Sequence, residues 1–286
     1  MRKSPVFPTL AAVLATTAIS HAGITFGPLK AQPGQNVRLV SKSEASDGRI
    51  ESKQPGASAN STIRIVRERD LVWTFREPLA DGTRRGMVQV NQLETTTTLS
   101  AAGKDDAKKD TSPLTGKMFA MSKLPTGDWI FELDGSVPEA RVREEIDELK
   151  VYLNRNWYPD RELEAGDTWE FDPAWIKMIV HKDLRNAKTI GTMRLRQIRR
   201  AVDKETAVIT VNIRSTGSDF HSDGTLTEAS VNLEGTMYVN LRTNLDELLE
   251  LEGSIVTGAS TATTSTKATL PVKLKVTKKF ERSTGR

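Results

Sequence analysis

Val272, Leu274 and Val276 alternate with Lys273 and Lys275, and the same period of two recurs through most of the chain. Successive strand side chains point to opposite faces, so this alternation marks strands with one buried face and one wet face. The strands predicted from it are 36–41, 62–67, 71–76, 87–99, 117–121, 129–133 and 168–171 in the first part. The second part adds 190–200, 205–214, 225–233, 235–242, 247–257 and 267–280. Thr62 to Arg67 and Leu71 to Arg76 read as a pair of strands, and Pro125 to Asp128 as a turn. Two stretches read as loops: Ser46 to Asn60, rich in Gly, Ser and Ala, and Ala101 to Pro113, dense in Lys and Asp. Lys on the open face of the last strand reads as a guard against edge-to-edge association.

Helical spacing stands out once. Val142, Ile146, Leu149 and Leu153 form one apolar stripe, with Ser136 and Glu139 in capping-box positions and Pro138 in the first turn. Glu139 and Arg143 are spaced for an i, i+4 pair. The fold class is therefore mainly β: a large curved antiparallel sheet, with one amphipathic helix packed on it.

The N-terminus has the layout of a secretory signal peptide. Arg2 and Lys3 precede the apolar run Leu10 to Ile19, and Ser20-His21-Ala22 supplies the small residues of a cleavage site between Ala22 and Gly23. Ten apolar residues are too few to span a bilayer core, which needs about 20. The expected organisation is a signal peptide over 1–22 and a single β-rich domain over 23–286, with its core over about 29–280. The protein is expected to be exported, and periplasmic in a Gram-negative source. No transmembrane segment is expected after cleavage.

The chain has 286 residues, no Cys, three His and a formal charge of +4. Absent Cys excludes disulfides, thiolate metal sites and Cys nucleophiles. Loss of residues 1–22 removes two cations and no acid, which lowers the charge to +2 and weakens any case for a polyanionic partner. Arg194, Arg196, Arg199, Arg200 and Lys204 are the basic cluster. Only Arg194 and Arg196 clearly share a strand face and no aromatic residue interleaves, so nucleic acid is not expected. A docking patch for an envelope protein is the alternative for that face.

Catalytic motifs are missing. There is no Gly-x-Ser-x-Gly elbow, no P-loop and no dinucleotide glycine pattern, and no cofactor is expected. Glu170 and Asp172 share a strand face and form a candidate acid pair, although acids turned to water opposite Trp169 and Phe171 explain them as well. Asp219, His221 and Asp223 at i, i+2, i+4 are a candidate divalent-metal set. The flanking Gly217-Ser218 and Gly224 equally suit a solvated hairpin tip. His181 stands alone and suits a packed or surface role.

Three motifs carry a family resemblance: Leu114-Thr115-Gly116-Lys117 to Asp134-Gly135, Tyr158 to Trp169 with its Gly166-Asp167-Thr168-Trp169 end, and the turn-like Leu233-Glu234-Gly235-Thr236 with its echo at Leu251-Glu252-Gly253-Ser254. Together they resemble uncharacterised exported bacterial proteins whose curved sheet is similar to the half-barrel of LolA-type periplasmic lipoprotein carriers. The resemblance implies a fold and an envelope location, and no catalytic residues. The expectation is a non-enzymatic binding or structural module, for a lipid, a hydrophobic peptide or an envelope protein, with a metal- or carboxylate-dependent hydrolase as the alternative. Met118, Trp129, Phe131, Trp169, Phe171 and Met237 are the candidate lining residues of an apolar concave face.

Overall fold

The computed structural model describes residues 23–125, 127–133, 139–154, 156–173 and 186–281, apart from the side chain of Tyr152. The signal-peptide segment, Ser136, Pro138 and His181 lie outside the described residues. Twelve antiparallel strands form one sheet. They are β1 (Asn36–Gln54), β2 (Ala57–Arg76), β3 (Arg84–Ala101), β4 (Lys104–Thr111), β5 (Met118–Lys123), β6 (Trp129–Glu132), β7 (Thr168–Phe171), β8 (Lys188–Ala201), β9 (Lys204–Phe220), β10 (Leu226–Asn240), β11 (Leu245–Ser260) and β12 (Ser265–Glu281). The single described helix, α1 (Ala140–Leu153), lies in the chain between β6 and β7.

The order across the sheet is β6-β5-β3-β2-β1-β12-β11-β10-β9-β8-β7, with β4 paired to β3 beside β5. The sheet curves without closing. Its last strand is central, paired with β1 on one side and β11 on the other. The alternating lysines of β12 therefore sit mid-sheet and guard no edge.

Cross-strand partners share a face, and the register lines up one apolar row after another. Trp73 stands opposite Val37 and Val88, Leu249 opposite Val276 and Met237, and Ile209 opposite Leu195 and Met237. All of these are buried. Helix α1 lies on this face and buries Val142, Ile146 and Leu149. Burying each such side chain contributes about 1.5–3 kcal/mol.

The helix is tied down by polar contacts. Glu148 accepts hydrogen bonds from Arg67 and Arg69 of β2, Arg141 bonds Asp110 of β4, and Ser112 donates to Glu145. Glu139 is the N-cap without a side-chain cap bond, and the i, i+4 ion pair on the helix is Arg141–Glu145.

Several strands are longer than the sequence reading gave. Ser46 to Asn60 is a tight hairpin rather than a loop: past a register shift between Ala45 and Gly48, β1 and β2 pair to Gln54 and Ala57 and turn at Pro55-Gly56. Ala101 to Pro113 likewise contains β4, whose side chains are all exposed. Without a buried face neither stretch shows alternation, and backbone hydrogen bonds alone hold the pairing. Thr62 to Arg67 and Leu71 to Arg76 are one strand, whose pairing with β1 runs unbroken through Glu68-Arg69-Asp70.

The two Leu-Glu-Gly motifs are mid-strand positions, not turns. A Cβ on Gly235 of β10 would lie 1.8 Å from the Glu250 carbonyl oxygen, and one on Gly253 of β11 would lie 1.9 Å from that of Asn232. Gly253 also holds φ at +155°. These glycines let β10 and β11 approach where a side chain would wedge them apart.

Candidate ligand cavity

One end of the concave face opens into a cavity of about 980 Å³. Separate pieces of the chain build it. The N-terminal segment around Phe26 bridges to the rest, with Lys30 N–H donating to Thr243 O and Gly34 N–H to Phe75 O. Ile24 pairs with Leu163 through two backbone hydrogen bonds at 2.8 and 2.9 Å. The ends of β2, β3 and β5, the start of β6, the segment following α1, and Leu245-Asp246 complete the wall.

Six aromatic residues line it, Phe26, Trp73, Phe75, Trp129, Trp157 and Tyr158, alongside charged ones. Phe26 stacks on Tyr158 at 4.1 Å between ring centroids, and Phe75 meets Trp129 edge-on at 6.4 Å. The Trp73 indole N–H is buried with no hydrogen-bond acceptor among the described residues. Buried indoles usually find one. Lys278 Nζ lies 5.8 Å from the Trp73 ring and 2.5 Å from Asp246 Oδ2. The floor of the cavity thus holds a charge pair, neutralised within itself, beside an aromatic face.

Of the six residues singled out from sequence, Trp129 lines the cavity. Phe131 packs edge-on against Phe119 at 5.6 Å. Trp169 is buried and donates its indole N–H to Trp157 O at 2.7 Å. Phe171 fills the space over Gly191, where a Cβ would come within 2.4 Å of its ring. Met237 is fully buried and meets the Tyr158 hydroxyl at 3.8 Å. Met118 is 54% exposed, on the face opposite Phe119 and Met121. Four of the six therefore support the cavity from the core, and Met118 turns to solvent. Trp73 and Phe75 share a strand face at i, i+2, the spacing that could have nominated them. Trp157 and Tyr158 follow the helix without any period to mark them.

The candidate metal residues form a hairpin tip. Asp219 is buried at the end of β9, His221 Nε2 is 3.1 Å from Thr227 Oγ1, and Asp223 accepts the Thr225 N–H at 2.9 Å. That backbone donor holds the Asp223 carboxyl below its usual range. No group of three His, Asp or Glu placed to hold a metal occurs among the described residues. Glu170 is exposed, as are Arg194 and Arg196. A second concavity, of about 600 Å³, lies at the far end of the sheet and is lined mainly by Ser, Thr and Gly with no aromatic residue. No helix among the described residues is long and apolar enough to cross a membrane.

No family model and no curated protein matches the chain. Among solved structures it is similar to lipovitellin, described for its lipid–protein interactions, at 8% identity and a TM-score of 0.43. That match covers 89% of this chain and 26% of the lipovitellin chain, so the chain spans about a quarter of that protein. OccK7 (OpdD) of Pseudomonas aeruginosa matches at 7% identity and TM-score 0.27, over 86% of this chain and 100% of its own. An outer-membrane channel from Pseudomonas putida F1 matches at 11% and 0.23, over 90% and 100%. Likenesses this distant carry no argument about what the chain binds. Of the expected half-barrel, the structure shows a curved antiparallel sheet left open.

Proposed function

We propose that the chain is an exported, non-enzymatic binding protein of the cell envelope that holds a lipid or another apolar ligand in the aromatic cavity. The observation that carries this reading is the cavity itself. Its volume of about 980 Å³ lies at the upper end of the range of roughly 300–1,000 Å³ for small-molecule sites. Aromatic side chains are a usual part of the lining of such sites, and six of them line this one. Export rests on the Arg2-Lys3, Leu10–Ile19 and Ser20–Ala22 layout.

The test is native mass spectrometry of the purified chain with organic extraction, followed by titration with aliphatic ligands while tryptophan emission is recorded. A co-purifying apolar molecule, or a saturable shift in emission that Trp129→Ala weakens, supports the reading. Absence of both overturns it.

A further inference from the structure

Four cations gather at the mouth of the aromatic cavity. The β2–β3 register sets Arg76 directly opposite Arg85, and the β3–β5 register sets Arg84 directly opposite Lys123. Lys123 in turn stands opposite Trp129, and all four cations line the cavity. Like charges directly opposite on a sheet are destabilising. None of the four is ion-paired among the described residues, and Arg85 reaches only the Glu77 carbonyl oxygen, at 3.5 Å.

Where cations meet elsewhere in the sheet, acids neutralise them: Arg38 opposite Lys279 has Asp70 and Glu281, and Lys42 opposite Lys275 has Glu44 and Glu250. The two pairs at the cavity depart from that pattern: Arg84 and Lys123 share the sheet face of Trp73 and Phe75, while Arg76 and Arg85 stand on the other face at the same strand ends, and all four line the cavity. Arginine suits planar oxyacids because its fork of donors matches two oxygens at once.

We propose that Arg76, Arg84, Arg85 and Lys123 form the headgroup site for an anionic amphiphile, with its phosphate or carboxylate at the mouth and its apolar tail among Trp73, Phe75 and Trp129. This rests on the cavity being a ligand site and adds the charge of what enters it. The occupant is set by charge complementarity: an aromatic interior beneath a rim where Lys30, Arg76, Arg84, Arg85 and Lys123 outnumber Glu77 and Asp160.

The experiment titrates the full chain with dodecyl phosphate, dodecanol and inorganic phosphate below micellar concentrations, read by tryptophan emission and calorimetry. Dodecyl phosphate binds at least tenfold tighter than dodecanol, and the advantage shrinks at high salt. The Arg84→Gln/Lys123→Gln variant loses that advantage and keeps the dodecanol affinity. Arg85→Gln raises the thermal midpoint of the free protein, because it relieves repulsion, while it weakens dodecyl phosphate binding. Equal affinity for the two dodecyl compounds overturns the headgroup site and leaves the cavity reading standing. Failure of both to bind overturns the cavity reading as well. Inorganic phosphate binding as tightly as dodecyl phosphate shows a simple anion site and overturns the amphiphile.

Discussion

Lys278 of β12 and Asp246 of β11 form an ion pair of 2.5 Å whose side chains are 2% and 12% exposed. A lysine so buried depends on its counter-charge, since a buried ion that loses its partner keeps its desolvation cost. Asp246→Asn is expected to lower unfolding free energy by about 3–5 kcal/mol. The double variant Lys278→Met/Asp246→Leu recovers most of that loss, because an apolar pair of similar size has no charge to compensate. Urea denaturation of the single and double variants measures the difference.

Gly235→Ala and Gly253→Ala each place a methyl within 2 Å of a neighbouring carbonyl oxygen. The β10–β11 ladder must then open locally. Each variant is expected to lose roughly 1–3 kcal/mol or more, as overpacked cores do. Amide exchange should show the loss of protection concentrated around Asn232 and Glu250 rather than spread over the sheet.

Glu148 gives the fold an acid-sensitive tie. Burial pushes its pKa up, but Arg69 and Arg67 outweigh burial and hold it below the usual glutamate value of 4.5. A carboxyl depressed in the folded state stabilises the protein above its unfolded pKa, and that contribution is lost as pH falls through the folded value. Glu148→Gln is therefore expected to be less stable than the parent at neutral pH, with the gap narrowing below pH 4.5. Thermal midpoints measured across that range check the sign.

Asn154 covers the open edge of the sheet. Its side-chain amide accepts the Trp129 N–H at 2.7 Å and donates to the Trp129 carbonyl at 3.0 Å, taking the place of a neighbouring strand on β6. Unpaired strand edges invite association with other chains. Asn154→Ala is expected to cost about 1–3 kcal/mol for the two bonds and to make the protein self-associate with concentration. Sedimentation velocity at two concentrations reads the second effect.

Alternation revealed most of the sheet because most strands bury one face. The same rule hid what lacked such a face. Lys104 to Thr111 is exposed along its whole length, so no contrast between its two sides could mark it as a strand. The apolar stripe of α1 was legible for the opposite reason, as Val142, Ile146 and Leu149 meet the core. The cavity was nearly invisible. Trp129 and Trp73 lie far apart in sequence, Trp157 follows a helix end, and Arg76, Arg84 and Lys123 come together only through strand register. Register is a property of pairing and leaves no local trace.

The central place of β12 has a consequence for how the molecule is made. Until its residues emerge, β1–β6 and β7–β11 are two separate half-sheets, with raw edges at β1 and β11. The β1–β12 contact joins residues more than 200 positions apart, as with Val37 and Phe280, and contacts so distant in sequence form slowly. The two halves cannot join before β12 is made; that one strand zips them together.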